Sequence, residues 1–237
     1  MADDNRRYYE AYDERYKTIH GMGSSWFGDE PTSVVEKTAI KYGIAKSVPV
    51  LEIGCGEGRD SVYLLEKGYD LTASDVSPEA IRYCKSKYPQ FTDSFKCFDC
   101  LDCKTAQKYS FIYSVAVIHM LVDAKDRMDF YRFISEHLTC DGIALVCSMG
   151  DGNLIINTDS EKAFEPALRN SPVGKIQVAS TTCKTVSFEC FEEEIIASGA
   201  KIIESGFTET KEYGTMMYAV IGKNENTKIE TPSGGKI

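Results

Sequence analysis

Short apolar runs alternate with amphipathic stretches along the chain from residue 48 onward. Apolar runs that predict strands occupy residues 48–53, 70–74, 95–98, 109–115 and 143–148. Amphipathic stretches that predict helices lie between them, at residues 60–67, 77–87 and 126–138. Because strands and helices of these lengths alternate, the pattern predicts right-handed βαβ units and a doubly wound, mostly parallel α/β sheet.

A hairpin-like signal follows the alternating pattern. A helix is predicted at 191–198 and a strand at 201–205, and two further apolar runs occupy 207–211 and 215–221. These two runs are joined by Glu-Tyr-Gly at 212–214, a turn that favours antiparallel pairing. We expect the pair to complete a seven-stranded sheet, with an antiparallel C-terminal strand at its edge.

Three segments fall outside the strand–helix alternation of the main domain, which we place at residues 47–223. Residues 1–46 are helical in pattern at both ends and carry a glycine-rich break between them. Residues 150–186 have no strand–helix rhythm and are interpreted as an insertion over the sheet. Residues 224–237 are polar and include Pro-Ser-Gly-Gly, which predicts a disordered tail.

Composition and charge narrow the class of protein and of partner. The chain of 237 residues is 43% hydrophobic and 27% charged, ordinary values for a globular domain with a real core. Its net charge of −9, without a concentrated basic stripe, argues against nucleic acid and favours a small-molecule partner. No apolar run approaches the ~20 residues that span a bilayer. The first residues are too polar for a secretory signal. We therefore expect a soluble cytoplasmic protein without a membrane partner, either monomeric or homodimeric.

The nine cysteines are odd in number and are interpreted as reduced thiols, many of them buried. Cys97, Cys100 and Cys103 have the spacing CxxCxxC, which can begin a zinc or iron–sulfur site. Such a site needs a fourth ligand, which this segment does not supply. A strand with its following loop is therefore the favoured interpretation, and no metal is expected.

A glycine-rich turn follows the first predicted strand. Residues 52–58 read Glu-Ile-Gly-Cys-Gly-Glu-Gly, an ExGxGxG pattern. Glycine permits both a tight bend and a close approach of a ligand to the backbone. The dinucleotide fingerprint GxGxxG would place its third glycine where the chain has Arg59, and the lysine of a P-loop is absent. We therefore expect a ligand-binding turn and regard a dehydrogenase as a distant alternative.

An aspartate closes or follows each of the next two strands. Asp75 ends the second predicted strand, where a carboxylate faces the crevice of a doubly wound sheet and can accept both hydroxyls of a ribose. Its alternative role is a cap for the helix that begins near Ser77. Asp99 follows the third strand, where it can accept the exocyclic amine of an adenine. Together with the glycine turn, these positions predict a site for an adenosine with a small charged attachment and no pyrophosphate.

The glycine pattern and the two aspartates resemble the class I S-adenosylmethionine-dependent methyltransferases over about residues 48–222. The resemblance implies S-adenosylmethionine as the cofactor. It assigns the methionine part to Gly54, Cys55 and Gly56, the ribose to Asp75 and Val76, the adenine edge to Asp99 and Cys100, and the methionine carboxylate and sulfonium to Ser114 and Val115. Glu52 would support the glycine turn.

The N-terminal segment carries a second, narrower resemblance. Residues 12–16 read Tyr-Asp-Glu-Arg-Tyr and residues 26–31 read Trp-Phe-Gly-Asp-Glu-Pro, which is similar to the N-terminal part of the thiol, halide, thiopurine and tellurite-resistance methyltransferases. The resemblance implies that Tyr16 and Trp26 fold over the cofactor and close the active site. Residues 1–46 would then be a lid segment. The alternative is that tyrosines at helical spacing simply pack a core.

His119 is the one histidine of three that follows a strand at the carboxyl edge of the sheet, where it could act as a general base. Its alternative role is to pack beside the cofactor. We place His119 and Tyr16 in the catalytic site and residues 150–186 on its substrate side. The expected activity is methylation of a small molecule, with a thiol or another soft nucleophile as acceptor. The alternatives are a protein or RNA acceptor, and a protein that binds the cofactor without catalysis.

Overall fold

A computed structural model describes residues 6–103 and 105–224 of the chain. Of the tail predicted at 224–237, all but Asn224 lies outside the described residues. The strands are β1 (Val50–Ile53), β2 (Leu71–Asp75), β3 (Phe95–Cys97), β4 (Tyr109–Val115), β5 (Leu138–Met149), β6 (Ile156–Asn157), β7 (Pro166–Ser171), β8 (Gly174–Ala179), β9 (Lys184–Thr185), β10 (Ala200–Thr210) and β11 (Gly214–Lys223). The α-helices are α1 (Ala11–Gly21), α2 (Ser33–Lys41), α3 (Arg59–Glu66), α4 (Pro78–Lys87), α5 (Ala124–His137) and α6 (Phe188–Ala197).

Seven of these strands form one sheet in the order β10-β11-β5-β4-β1-β2-β3. The five strands from β5 to β3 are parallel, and β11 is antiparallel to both of its neighbours. The sequence-based prediction of a doubly wound, mostly parallel seven-stranded sheet with an antiparallel C-terminal strand is confirmed. This is the Rossmann-like arrangement of the methyltransferase fold.

The predicted position of the antiparallel strand was wrong. We expected β11 at the edge of the sheet, but it lies between β10 and β5, and β10 is the edge strand. The burial of the two strands explains the order, because β11 is buried at six of its ten positions whereas β10 is buried only at Ala200. The more apolar strand therefore takes the covered place.

The runs predicted as separate strands at 201–205 and 207–211 form the single strand β10. Its pairing with β11 has an irregular register between Ile202 and Glu204. Gly206 does not interrupt the strand, because the ring of Tyr218 on β11 covers it, 3.2 Å from where a Cβ of Gly206 would lie. Glycine here makes room for an aromatic side chain and does not mark a turn.

The core lies on both faces of the sheet. On one face, Ile112 of β4 packs with Phe130 of α5 and Phe191 of α6. On the other face, Phe111 of β4 packs in the cluster that includes Leu64 of α3. Neighbouring residues of a strand point to opposite faces, so the continuously apolar β4 supplies both clusters. This double cover leaves the ends of the strands as the exposed edges where a site can form.

The insertion at 150–186 contains elements that the sequence analysis did not predict. It holds the antiparallel hairpin β7–β8 and the short antiparallel pair of β6 with β9. The hairpin packs its buried Ile176 and Val178 against Ile19 of α1, so it supports the N-terminal helix. In residues 6–103 and 105–224, no helix combines the length and apolar character that crossing a bilayer requires.

Candidate functional site

A cavity of about 360 Å³ lies at the carboxyl ends of β1, β2 and β4. Its volume falls within the range of sites for small molecules, roughly 300–1,000 Å³, and its place is the crevice where doubly wound sheets bind ligands. The predicted site residues that line it are Tyr16, Trp26, Glu52, Gly54, Cys55, Gly56, Asp75, Val76, Asp99, Cys100, Val115 and His119. The topology therefore brings together positions that the sequence separates by up to 103 residues (Tyr16 to His119).

Ser114 is the predicted site residue that does not line the cavity. It is buried in β4, and its Oγ donates a hydrogen bond to the carbonyl oxygen of Ile53, 3.0 Å away. Its neighbour Val115 is the residue that reaches the cavity wall. Consecutive residues of a strand face opposite ways, so only one of the two could do so.

The glycine turn after β1 is covered closely by two other segments. Gly54 has φ +77°, and a Cβ added to it would lie 2.2 Å from Cγ2 of Val117. Gly56 has φ +52°, and a Cβ there would lie 2.7 Å from the hydroxyl oxygen of Tyr16. The turn needs glycine at both places for backbone conformation and for space. Tyr16 thus lies directly on the turn, as a residue that closes over it must.

Replacing Gly54 by alanine is expected to destabilise the protein by about 3 kcal/mol, since left-handed backbone costs alanine about 1–2 kcal/mol and overpacking adds about 1–3 kcal/mol. Gly68→Ala is the matched control, because Gly68 has φ +84° but no atom within 4 Å of the added Cβ. The double variant Gly54→Ala/Val117→Ala removes the clash and should recover part of the loss. Urea unfolding measures all three. Equal losses in Gly54→Ala and Gly68→Ala would contradict the close packing.

Asp75 is buried at the end of β2 and both of its carboxylate oxygens accept a backbone hydrogen bond. Oδ2 accepts from the N–H of Gly56 and Oδ1 from the N–H of Ser77, each at 2.8 Å. Burial raises the pKa of Asp75. A carboxylate has about four acceptor positions, so about two remain for a ligand.

Other residues cap the helix that Asp75 could have capped. The Oγ of Ser77 accepts from the N–H of Ala80 at 3.0 Å. Asp13 of α1 accepts from the hydroxyl of Ser77 at 2.6 Å and from the N–H of Glu79 at 3.0 Å. The N-terminus of α4 is therefore held by Ser77 and Asp13, which favours the ligand-binding interpretation of Asp75.

Asp99 connects the loop after β3 to the N-terminal part of the chain. Its Oδ1 accepts from the N–H of Leu101 at 2.8 Å, and its Oδ2 accepts from the hydroxyl of Tyr9 at 2.6 Å. Burial raises the pKa of Tyr9, so its hydroxyl stays protonated as a donor. Tyr9 could not be predicted as a site residue, because nothing in the local pattern pairs it with a residue ninety positions away.

Glu57, within the glycine pattern, binds the backbone of the stretch between α1 and α2. Its carboxylate accepts from the backbone N–H groups of Trp26 at 2.6 Å and Phe27 at 2.9 Å. It also contacts Nε2 of His20 at 3.0 Å, while Nδ1 of His20 contacts Glu79 at 2.8 Å. The glycine turn and the residues above it are therefore one hydrogen-bonded unit. Sequence reasoning assigned Glu57 no role, although its place inside the motif was a signal.

Tyr16 and Trp26, the two aromatic residues predicted to fold over the cofactor, line the cavity from the lid segment. Burial raises the pKa of Tyr16 well above its ordinary value, and the nearby carboxylate of Asp75 adds to the effect. The Tyr16 hydroxyl therefore remains protonated at neutral pH. Glu52 lies below them, buried, and accepts from the hydroxyls of Ser61 and Tyr113. These bonds hold the glycine turn against α3 and β4.

His119 sits on a short 3-10 turn, Ile118–Met120, that follows β4. Its pKa is lowered to about 3, first by burial and then by the charges of Arg127 and Arg15. A side chain with so low a pKa is a poor proton acceptor near neutral pH, which argues against the general-base role. Arg127 fixes the turn by donating to the carbonyl oxygens of Ile118 at 2.6 Å and Leu121 at 3.1 Å.

The three cysteines of the CxxCxxC segment lie at the end of β3 and in the loop that follows it. Within residues 6–103 and 105–224, no three His, Cys, Asp or Glu side chains are grouped to hold a metal ion. Cys97 ends β3, and Cys100 lines the cavity. Burial raises the pKa of the Cys100 thiol. The Cys100 thiol is therefore a neutral part of the cavity wall.

Residues 150–186, predicted on the substrate side, contribute no residue to the cavity wall. They act on it through Arg15 of α1, which does line the cavity and donates from one nitrogen to Ala179, Ser180 and Thr181. Met149, at the end of β5, is the last residue before the insertion that reaches the cavity.

The chain resembles known methyltransferases in sequence and in fold. Residues 50–142 match the family model described as "Methyltransferase domain". The ribosomal RNA small subunit methyltransferase A of Porphyromonas gingivalis is 32% identical over 79 residues, 33% of this chain and 30% of the relative. The probable S-adenosyl-L-methionine-dependent methyltransferase TehB of Haemophilus influenzae is 28% identical over 99 residues, 41% of this chain and 34% of the relative.

The fold comparison covers more of the chain. An S-adenosylmethionine-dependent methyltransferase from Clostridium acetobutylicum superimposes with a TM-score of 0.62 at 13% identity, over 91% of this chain and 99% of that one. The chain spans about a third of the length of the curated relatives named above. The matching family model shows a methyltransferase domain at residues 50–142, and the sheet order with the structural likeness shows that the chain has the fold of S-adenosylmethionine-dependent methyltransferases.

Proposed function

We propose that the protein transfers a methyl group from S-adenosylmethionine to a small molecule that carries a thiol or another soft nucleophile. The observation that carries this proposal is that one cavity of about 360 Å³ is lined by the glycine turn, Asp75 and Asp99 from the sheet side. The lid segment closes the same cavity through Tyr16 and Trp26. A covered cavity of this size favours an acceptor that can be enclosed.

The residues present fit the cofactor. Asp75 keeps free acceptor positions beside its two backbone bonds, which suit the two hydroxyls of a ribose. Asp99 likewise keeps acceptor positions for an adenine amine. Gly54 and Gly56 both line the cavity, so backbone atoms of the glycine turn would face a methionine moiety there. The cofactor would supply an electrophilic methyl group on a positively charged sulfur.

The protein's part in such a reaction is alignment and the exclusion of water. The lid segment supplies the exclusion, since it is tied to the cavity floor by Tyr9 on Asp99 and by Glu57 on the backbone of Trp26. Aromatic faces attract cations, so the rings of Tyr16 and Trp26 suit a positively charged sulfur. These roles need no proton transfer by the protein.

The acceptor class follows from the state of the two candidate bases. His119 is neutral and has a pKa of about 3, while the phenol of Tyr16 has a pKa well above its ordinary value. Neither group can take a proton from a hydroxyl or an ammonium at neutral pH with useful efficiency. An acceptor that is nucleophilic without such help, above all a thiol, is therefore favoured.

The low pKa of His119 predicts a defined dependence on pH. The unfolded state binds a proton at His119 below about pH 6.5, whereas the folded state does not until about pH 3. The free energy of unfolding should therefore fall as the pH is lowered through this window. His119→Asn should flatten this part of the dependence, measured by urea unfolding at pH 5 and pH 7. A wild-type rate profile with a His119-dependent inflection between pH 6 and 8 would contradict the assignment.

The relative that acts on ribosomal RNA brings a second candidate, an RNA acceptor. The net charge of −9 disfavours an RNA acceptor, because it repels the phosphate backbone, and the covered cavity favours a small acceptor. A non-catalytic role in binding the cofactor is the third candidate.

Incubation with methyl-labelled S-adenosylmethionine and a panel of small thiols, phenols, amines and total RNA separates the three candidates, with Asp75→Asn as the inactive control. We expect label in the thiols first. The proposal would be overturned if label appeared only in RNA. It would also be overturned if the protein bound the cofactor but methylated no compound of the panel and none in a cell extract.

A further inference from the structure

Arg15 is a cavity-lining cation that has no carboxylate partner among the described residues. One of its terminal nitrogens donates to the carbonyl oxygens of Ala179 and Ser180 and to the hydroxyl of Thr181, at 3.2, 2.8 and 2.6 Å. Its Nε is buried and has no hydrogen-bond partner in the part of the chain that is described. Within residues 6–103 and 105–224, no Asp or Glu oxygen lies within ion-pair distance of its guanidinium.

The other arginine of the cavity wall, Arg59, differs in this respect. It pairs with Asp60 and Glu212, each at 3.2 Å, so its charge is neutralised within the protein. Arg15 instead lies over the rings of Tyr12 and Trp26, at 5.1 and 5.2 Å from their centroids. Aromatic faces orient a guanidinium but do not replace an anion.

His119 supplies a second polar group without a partner on the same cavity wall. Its Nδ1 is buried and has no hydrogen-bond partner among the described residues. The charge of Arg15 is close enough to affect the titration of His119. Buried polar groups are nearly always paired in folded proteins, so unpaired ones that line a cavity indicate a ligand atom there. Nε and Nη1 of Arg59 are also buried without a hydrogen-bond partner, but the charge of Arg59 is paired with Asp60 and Glu212, whereas that of Arg15 has no such partner among the described residues.

We propose that Arg15 and His119 form an oxyanion-binding subsite, which receives a carboxylate, or another oxyanion of like charge, from a small molecule in the cavity. The proposal deepens the proposed function and rests on it, because it assigns the methyl acceptor to the class of anionic small molecules. Guanidinium groups bind carboxylates through charge-assisted hydrogen bonds. The neutral His119 adds a donor without adding charge.

The position of the subsite in the sheet separates it from the residues that would hold the adenosine. His119 follows β4, on the side of β1 toward β5, whereas Asp75 and Asp99 follow β2 and β3 on the other side. An adenosine held by Asp75 and Asp99 therefore occupies the opposite half of the crevice. The methionine carboxylate of the cofactor is the other source with the same chemistry, and the experiment distinguishes the two.

Trp26 is the protein's only tryptophan and lies in the cavity wall beside Arg15, so its fluorescence reports binding there. The protein is first saturated with S-adenosylhomocysteine. Its affinity for 3-mercaptopropionate is then compared with its affinity for propanethiol, which lacks the carboxylate. In a separate experiment, the affinity of the protein for S-adenosylmethionine is compared with its affinity for decarboxylated S-adenosylmethionine. Each pair is compared in wild type, Arg15→Gln, Arg15→Lys and Arg169→Met. Arg169 is the matched control, because it is exposed and donates to the same Ser180 carbonyl at 3.1 Å.

We expect wild type and Arg169→Met to prefer the carboxylated thiol by ~10-fold or more, the size of a charge-assisted bond. Arg15→Gln should lose this preference, and Arg15→Lys, which keeps the charge, should retain part of it. Loss of preference only in the cofactor pair would support the subsite and assign it to the cofactor. Unchanged preferences in both pairs would overturn the proposal.

The outcome can be separated from that of the proposed function. An Arg15-dependent preference for anions in a protein that does not bind S-adenosylmethionine would overturn the methyltransferase assignment and leave the anion subsite standing. Methylation of 3-mercaptopropionate by Arg15→Gln at wild-type efficiency would do the reverse.

Discussion

Replacing Asp75 by asparagine is expected to weaken the binding of S-adenosylhomocysteine by about 100-fold. Both carboxylate oxygens of Asp75 already accept a backbone N–H, from Gly56 and from Ser77. An asparagine amide must therefore turn its NH₂ group toward one of these donors and lose that bond. It also loses the negative charge that strengthens hydrogen bonds from ribose hydroxyls, and bonds to charged groups contribute about 1.5–3 kcal/mol each.

Calorimetric titration measures the affinity, and Asp70→Asn is the matched control. Asp70 directly precedes the same strand at its amino end and is exposed, so its replacement should change the affinity less than about twofold. An analogue without ribose hydroxyls provides the second readout, since it should bind wild type and Asp75→Asn almost equally. A folded Asp75→Asn protein with near wild-type affinity would refute the ribose role.

The parts of the site that could be predicted from sequence are those that lie directly beyond a strand. Asp75 and Asp99 follow apolar runs, and parallel strands bring their carboxyl ends to one edge, so topology alone places the two in one crevice. The glycine turn after β1 follows the same logic. Local pattern and fold class were sufficient for these three features.

The contacts of the lid segment could not be predicted in this way. Tyr9 meets Asp99 and Glu57 meets the backbone of Trp26 across ninety and thirty-one positions of sequence, without any period that links them. The order of β10 and β11 likewise depends on which strand the sheet covers, a property of tertiary packing. A hairpin signal predicts that two strands pair but not which of them lies at the edge.

The β7–β8 hairpin, in contrast, carried a usable signal. Ile176 and Val178 are buried and alternate with the exposed Lys175 and Gln177, and Gly174 follows the turn. This is the period-two pattern of a strand with one covered face. The polar partner strand β7, with one exposed apolar residue at Leu168, obscured it.

Arg127→Met is expected to lower the free energy of unfolding by about 3 kcal/mol, because it removes a buried arginine that binds two carbonyl oxygens and the half-buried carboxylate of Glu194. Arg127 is 2% exposed; it donates to the carbonyl oxygens of Ile118 and Leu121 and pairs through Nε with Glu194 at 2.9 Å. A methionine fills much of the space but leaves these acceptors without a donor. Because the freed carbonyls belong to the turn of His119, the variant should also lose methyl-transfer rate.

Urea unfolding measures the loss, with Arg132→Met as the control on the same helix. The side chain of Arg132 is 59% exposed and pairs with Asp129 at 2.6 Å, so its replacement should cost less than about 1 kcal/mol.

The double variant Arg127→Met/Glu194→Met also removes the carboxylate that Arg127→Met leaves unpaired. It should be more stable than the sum of the two single losses indicates. Strict additivity, or equal losses in Arg127→Met and Arg132→Met, would show that the pair does not hold the turn. A smaller loss in the double variant would mean that the unpaired carboxylate of Glu194 accounts for part of the cost, and the remaining loss would measure what Arg127 contributes to the two carbonyls beneath His119.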